Sequence, residues 1–231
     1  MRRVRTRPVV AFSIIAAAAA VVIIALLLVV RPWEGNGSPV ASEEQVDALA
    51  SPAALPPLVD ESTHILNNAG PGAPVVVEFL DFECEACGAV YPTMEELREK
   101  YDGEVTFAVR YFPLPGHSNS VNAALAVEAA AQQGAFEAMY QRMFETQSEW
   151  GERQASEADR FRSYAEGLGL DVAAYDAAVS DPATLARVEQ DFQAGAELGV
   201  DRTPTIFVDG ERLELSQLSD IETAIQAAMP Q

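Results

Sequence analysis

Cys84 and Cys87 are the only two cysteines in the 231-residue chain, and just two residues separate them. A disulfide kept as a staple gains most by closing a long loop, and this loop is short. The spacing suits thiol–disulfide exchange instead, because the second sulfur of a Cys-x-x-Cys pair reaches the first across one helical turn. Cys84-Glu85-Ala86-Cys87 follows the apolar run Val75–Leu80 and opens a stretch of helical character. Unpaired N–H groups and a partial positive charge at a helix N-terminus favour a thiolate. Cys84 is therefore expected to be the exposed, attacking sulfur, with Cys87 resolving the mixed disulfide from one turn deeper.

Two further features point to the same place. Glu78 interrupts Val75-Val76-Val77-Glu78-Phe79-Leu80 six residues before Cys84. A carboxylate is expensive to bury, so its pKa should rise, and a protonated acid there can exchange a proton with Cys87. The alternative is an edge-strand Glu that faces water. Thr203-Pro204-Thr205 starts a later β-branched run. Proline at the start of a buried strand needs a reason; a cis Thr203–Pro204 bond would lay a backbone edge against the cysteine pair for a substrate peptide to hydrogen-bond. X-Pro bonds are mostly trans, so the sequence leaves the isomer open.

The elements around these residues are readable from pattern. Val75–Leu80 is apolar on both alternating faces, as in a strand covered on both sides. A helix is expected from Cys84 to about Tyr101, with Pro92 inside it as a kink. Val105–Tyr111 reads as a second strand, giving a strand–helix–strand unit and parallel pairing. Helices follow: Phe136, Met139, Tyr140, Met143 and Phe144 form one apolar stripe, which reads as core packing. Ser156 with Asp159 suggests a capping box, and Asp181-Pro182 an N-cap with proline at the first helical position. Gly134, Gly169 and Gly199 fall at expected helix ends. Thr205–Val208, a tight turn at Asp209-Gly210, and Arg212–Leu215 read as a hairpin. Ser216 is a candidate cap for a last helix.

Charge and hydropathy bound the setting. Beyond Arg31 the chain carries 10 basic against 35 acidic residues, a surface that repels nucleic-acid phosphates and makes nucleic acid an excluded partner. Val9–Val30 is free of charge and would span about 33 Å as a helix, enough to cross a bilayer. Arg2, Arg3, Arg5 and Arg7 precede it, so residues 1–8 are expected in the cytoplasm and the rest outside the cell membrane, on a single-pass anchor at 9–30. Cleavage as a signal peptide is disfavoured, since Arg31-Pro32-Trp33-Glu34 is a poor cleavage site. Residues 31–58, rich in Pro and Gly, read as a flexible tether, and folded character is expected from Val59 to residue 231.

Taken together, the motifs resemble the thioredoxin superfamily, most closely its DsbA-like branch. The likeness rests on Glu78 to Cys87, on Arg110-Tyr111-Phe112-Pro113-Leu114 with His117, and on Gly199 to Thr205. It implies an α/β thioredoxin fold carrying an inserted helical domain at about 118–198, here preceded by an N-terminal transmembrane helix. It also implies Cys84 as nucleophile, Cys87 as resolving cysteine, Glu78 as buried acid and Pro204 as cis proline. Thr203 and Pro204 would contact substrate. Relatives form or exchange disulfides in exported proteins, so the expected partners are unfolded or reduced exported proteins and a membrane quinone-linked reoxidising protein. No cofactor and no metal is expected.

The chain departs from DsbA itself, which has Pro-His between its cysteines, in carrying Glu85-Ala86 there with Glu83 alongside. Two carboxylates near Cys84 should oppose its thiolate, and Arg202, where the branch usually has glycine, is expected to offset them in part. A pair less oxidising than DsbA's follows. A disulfide reductase or isomerase, a Cu(I)-binding thioredoxin-like module and a non-catalytic scaffold are the competing readings; neither His64 nor His117 is assigned a role.

Overall fold

The computed structural model describes residues 57–230. The expected anchor, 9–30, lies outside them, as does the expected tether except for Pro57 and Leu58. Among the described residues, no helix is long and apolar enough to cross a membrane.

Five strands form one mixed sheet: β1 (His64–Asn67), β2 (Val75–Leu80), β3 (Thr106–Tyr111), β4 (Thr205–Val208) and β5 (Glu211–Arg212), in the order β1-β3-β2-β4-β5. β2 lies at its centre, parallel to β3 with Glu78 opposite Val109, and antiparallel to β4 with Glu78 opposite Ile206. That position explains why β2 is apolar at every residue except Glu78, since both of its faces are covered. On one face Val76 packs with Val90, Met94 and Leu97 of α1 (Glu85–Lys100) and with Ile221 and Ile225 of α8 (Ser219–Ala228). On the other, Val77 and Phe79 meet Ala108, Phe112 and Phe207. Complete burial of such side chains stabilises by roughly 1.5–3 kcal/mol each.

Six helices separate β3 from β4 in the chain: α2 (Ser120–Ala131), α3 (Phe136–Glu145), α4 (Gln147–Trp150), α5 (Ala158–Gly167), α6 (Val172–Val179) and α7 (Pro182–Glu197). Half of α2 is alanine and most of it is buried, and small side chains let neighbouring helices approach it closely. The aromatic stripe is core: Met139, Tyr140, Met143 and Phe144 are buried, and Phe136 packs against them. Asp181 caps α7 by accepting from Ala183 N at 2.8 Å, with Pro182 following. The Asp209-Gly210 turn has φ of +49° and +91°, the doubly left-handed geometry of a two-residue hairpin.

Several local expectations are corrected. β1 was not anticipated: its four residues carry little pattern of their own and are held by antiparallel pairing with β3. The Ser156–Asp159 capping box does not form, because Glu157 is the N-cap of α5 and its N–H is taken by Asn119 Oδ1 at 2.8 Å. Ser216 caps nothing; its N–H and that of Gln217 donate to Asp220, each at 2.9 Å. The second hairpin strand is shorter than Arg212–Leu215, and α1 starts one residue later than expected, with Cys84 as its N-cap.

Candidate active site

Cys84 occupies the junction between β2 and α1 as the N-cap of that helix, with extended backbone (φ −67°, ψ 120°). Its C=O accepts from Gly88 N at 3.1 Å, closing the first helical turn. The residue is 8% exposed, whereas Cys87 is fully sealed. The order of access is the expected one, but Cys84 is itself buried where an exposed sulfur was expected; both thiols are free.

The environment drives the two sulfurs apart in acidity. A hydrogen bond from Cys87 is the main cause that brings the Cys84 pKa down to about 5, against burial; the Thr203 side chain and the backbone N–H groups of Cys87 and Ala86 add to it. Burial pushes the Cys87 thiol well above its usual range, helped by the bond to Cys84 and the charge of Glu78. The pair therefore has one sulfur suited to be a thiolate at neutral pH and one suited to keep its proton.

Glu78 is 2% exposed on the central strand, so the edge-strand alternative is excluded. Burial, reinforced by the charges of Glu95 and Cys84, raises its pKa to about 8. The Thr203–Pro204 bond is cis. Thr203 comes directly against the pair: the Cys84 thiol donates to its carbonyl oxygen at 3.4 Å. Sequence positions 78, 84, 87 and 203–204, drawn from three separate stretches of chain, thus converge.

The residues expected to tune the pair are placed differently. Glu83 is buried and turned away into the helices, accepting from Asn119 N at 2.6 Å. Glu85 and Ala86 are exposed on the first turn of α1. Neither Glu83 nor Glu85 is among the main influences on Cys84, whose acidity is set by local hydrogen bonds. Arg202 is mostly exposed, pairs with Asp201 at 3.1 Å, and is not among the main influences on Cys84.

Sequence reasoning missed the frame beneath the cysteines. Asp81 is fully buried and accepts from Glu83 N at 2.9 Å, Leu114 N at 3.0 Å and His117 Nδ1 at 2.6 Å, while its own C=O accepts from Cys84 N at 3.1 Å. Burial disfavours charge on His117, but Asp81 outweighs it and the pKa rises. Gln147, from α4, reaches the same loop. An Asp inside the motif stretch was the available signal; nothing in the sequence marks Gln147.

The chain matches the family model described as Thioredoxin over residues 69–227. Among curated proteins it is 34% identical over 177 residues to the Na(+)/H(+) antiporter NhaA of Herminiimonas arsenicoxydans, covering 77% of this chain but only 27% of that protein. Among solved structures, a thioredoxin-like oxidoreductase from Silicibacter pomeroyi DSS-3 superposes with a TM-score of 0.62 at 26% identity, covering 74% of this chain and 94% of the other. α-DsbA1 of Wolbachia pipientis gives 0.63 at 19% identity, with 76% and 93% covered. The chain belongs to the thioredoxin family and has the fold of its DsbA-type members.

Proposed function

We propose that the chain is a thiol–disulfide oxidoreductase, anchored in the cell membrane by residues 9–30, that forms disulfides in exported proteins outside the cytoplasm. The observation that carries this reading is the asymmetry of the pair: Cys84, the less buried of the two, is acidic at a helix N-terminus, with Cys87 fully sealed and weakly acidic behind it. A stabilised Cys84 thiolate favours the reduced form of the enzyme, and a dithiol stabilised in that way makes its disulfide an oxidant.

The steps balance as follows. A thiolate of an unfolded or reduced exported protein attacks Cys84 Sγ of the Cys84–Cys87 disulfide. The S–S bond breaks, and Cys87 leaves and takes a proton, with Glu78 as its donor. A second substrate thiolate then attacks the substrate sulfur of the mixed disulfide and expels Cys84 as a thiolate, which needs no proton at neutral pH. The substrate loses two electrons and the enzyme gains them. Thr203 and the cis Pro204 offer the backbone edge along which the substrate chain is held. Reoxidation falls to a membrane quinone-linked partner, and the inserted helices (118–198) form the wall beside the cysteines. The six-helix stretch between β3 and β4 supports that assignment.

Trapping the thiols in intact cells and reading the resting state separates the directions of exchange. An oxidase should be found mostly as the disulfide; a population held mostly as dithiol would replace this reading with a reductase. Equilibration with glutathione adds the strength of the couple. An acidity of about 5 at Cys84, weaker than the handful of most acidic exchange cysteines near 3.5, supports a potential below DsbA's roughly −120 mV.

A further inference from the structure

The loop that presents Cys84 is gripped from the helical side by one side chain. Gln147 Nε2 donates to the carbonyl oxygens of Phe82 and of Cys84, each at 2.8 Å, straddling Glu83. Both hydrogens of one amide are therefore spent on the two peptide units that lead into α1. Gln147 is the first residue of α4, and that short helix is itself closed by Gly151 N donating to Gln147 O at 2.7 Å.

The opposite side of the grip is made by what Gly88 lacks. A Cβ at Gly88 would collide with the amide oxygen and carbon of Gln147. Gly88 lies inside α1, where glycine costs about 1 kcal/mol relative to alanine, so its presence there needs a reason. The packed amide supplies one.

We propose that Gln147 is a positioning residue for the redox centre: by holding the Phe82 and Cys84 carbonyls it fixes the peptide planes that aim the first N–H groups of α1 at the Cys84 sulfur. This rests on the reading of Cys84 as the exchange nucleophile. An amide is suited to the task because it is neutral and presents two donors in one plane. Without it the Phe82 carbonyl loses a donor, and Cys84 C=O keeps only its helical bond from Gly88 N. The turn is then free to rotate, and the N–H groups of Ala86 and Cys87 lose their aim.

The test is the thiolate absorbance of Cys84 as a function of pH in the full-length reduced chain. Gln147→Met keeps the volume and removes both donors; the midpoint should rise by about one pH unit, a tenfold loss of acidity. Gly88→Ala displaces the amide from the other side and should raise the midpoint in the same direction, even if the Met variant fails to fold. In Gly88→Ala/Gln147→Ala the collision is gone and so is the grip, so the double variant should titrate like Gln147→Ala alone, with no additive effect. A Gln147→Met midpoint equal to wild type would overturn the proposal, as would additive shifts in the double variant. Neither result touches the exchange reading, which fails separately if Cys84 in the wild-type chain titrates near the ordinary value of 9.0.

Discussion

Burying Glu78 has opposite consequences for stability and for chemistry. Its folded pKa stands at about 8, against an ordinary 4.5 in the unfolded chain. The folded state therefore keeps a proton that the unfolded state releases between those values. The contribution of this group to stability is fully present below pH 4.5 and is lost as pH rises towards 8. At pH 7 the loss is on the order of 3 kcal/mol. Glu78→Gln keeps the shape and cannot ionise, so it should raise Tm at pH 8 and leave it nearly unchanged at pH 4. Thermal scans at both values decide; equal shifts would mean that ionisation is not the source. The same variant removes the proposed proton donor for Cys87, and single-turnover oxidation of a reduced peptide by stopped flow should slow by roughly 10²-fold. Cys84 follows the opposite sign. Its pKa is depressed in the folded dithiol, to about 5 from 9.0, so the stabilisation is complete above pH 9 and is lost as pH falls through 5. The disulfide form has no thiol to ionise. The reduced protein should thus melt above the oxidised one at pH 8, with the gap closing towards pH 4.5 in paired calorimetric scans. A gap independent of pH would show that Cys84 is not held as a thiolate.

Among the elements, those legible in the sequence were the ones whose own residues determine them. β2 announces itself by an apolar run, β4 with β5 by Asp209-Gly210, and α7 by Asp181-Pro182. Elements that exist through partners were not legible. β1 depends on β3, the start of α5 depends on Asn119, and the grip of Gln147 on the cysteine loop joins positions far apart in the chain. Arg110 is another case. It lies in an otherwise apolar strand, and the sequence shows no reason for a cation there. In the structure its fully buried guanidinium donates to Asp191 at 2.7 Å on α7, to Asp60 at 3.1 Å, and to the carbonyls of Pro57 at 2.9 Å and Leu58 at 3.3 Å. It thereby ties β3 to α7 and to the first described residues. Removing one member of a buried pair leaves the other without compensation, at a cost of about 3–5 kcal/mol. Arg110→Leu should lower stability by that amount in urea unfolding. Limited proteolysis should also begin cutting near Pro57–Asp60, where the wild type resists. A loss below about 1 kcal/mol would show that Arg187, 2.8 Å from the other Asp191 oxygen, suffices to hold the carboxylate.

On the scale of the whole chain, two charge patterns divide the molecule. Four arginines stand before residue 9, and the acidic surplus lies entirely beyond Arg31. If Val9–Val30 is an uncleaved anchor, this division sets orientation: the positive end is retained inside and the acidic domain is exported. The arrangement has a mechanistic consequence. A tethered oxidant meets its membrane reoxidant at high effective concentration, and a released one must find it by diffusion. The chemistry at Cys84 is built within residues 57–230, so a version exported without residues 9–30 should exchange disulfides with a reduced peptide in vitro at the wild-type rate. In cells, the same version should accumulate as dithiol, because recycling is slowed while oxidation of clients continues. Thiol trapping of the two versions at matched abundance reads the difference. Protease added outside intact cells should degrade the domain of the wild type and leave the first residues protected. A domain that resists external protease, or a truncated version that stays as oxidised as the full chain, would remove the anchor from the mechanism.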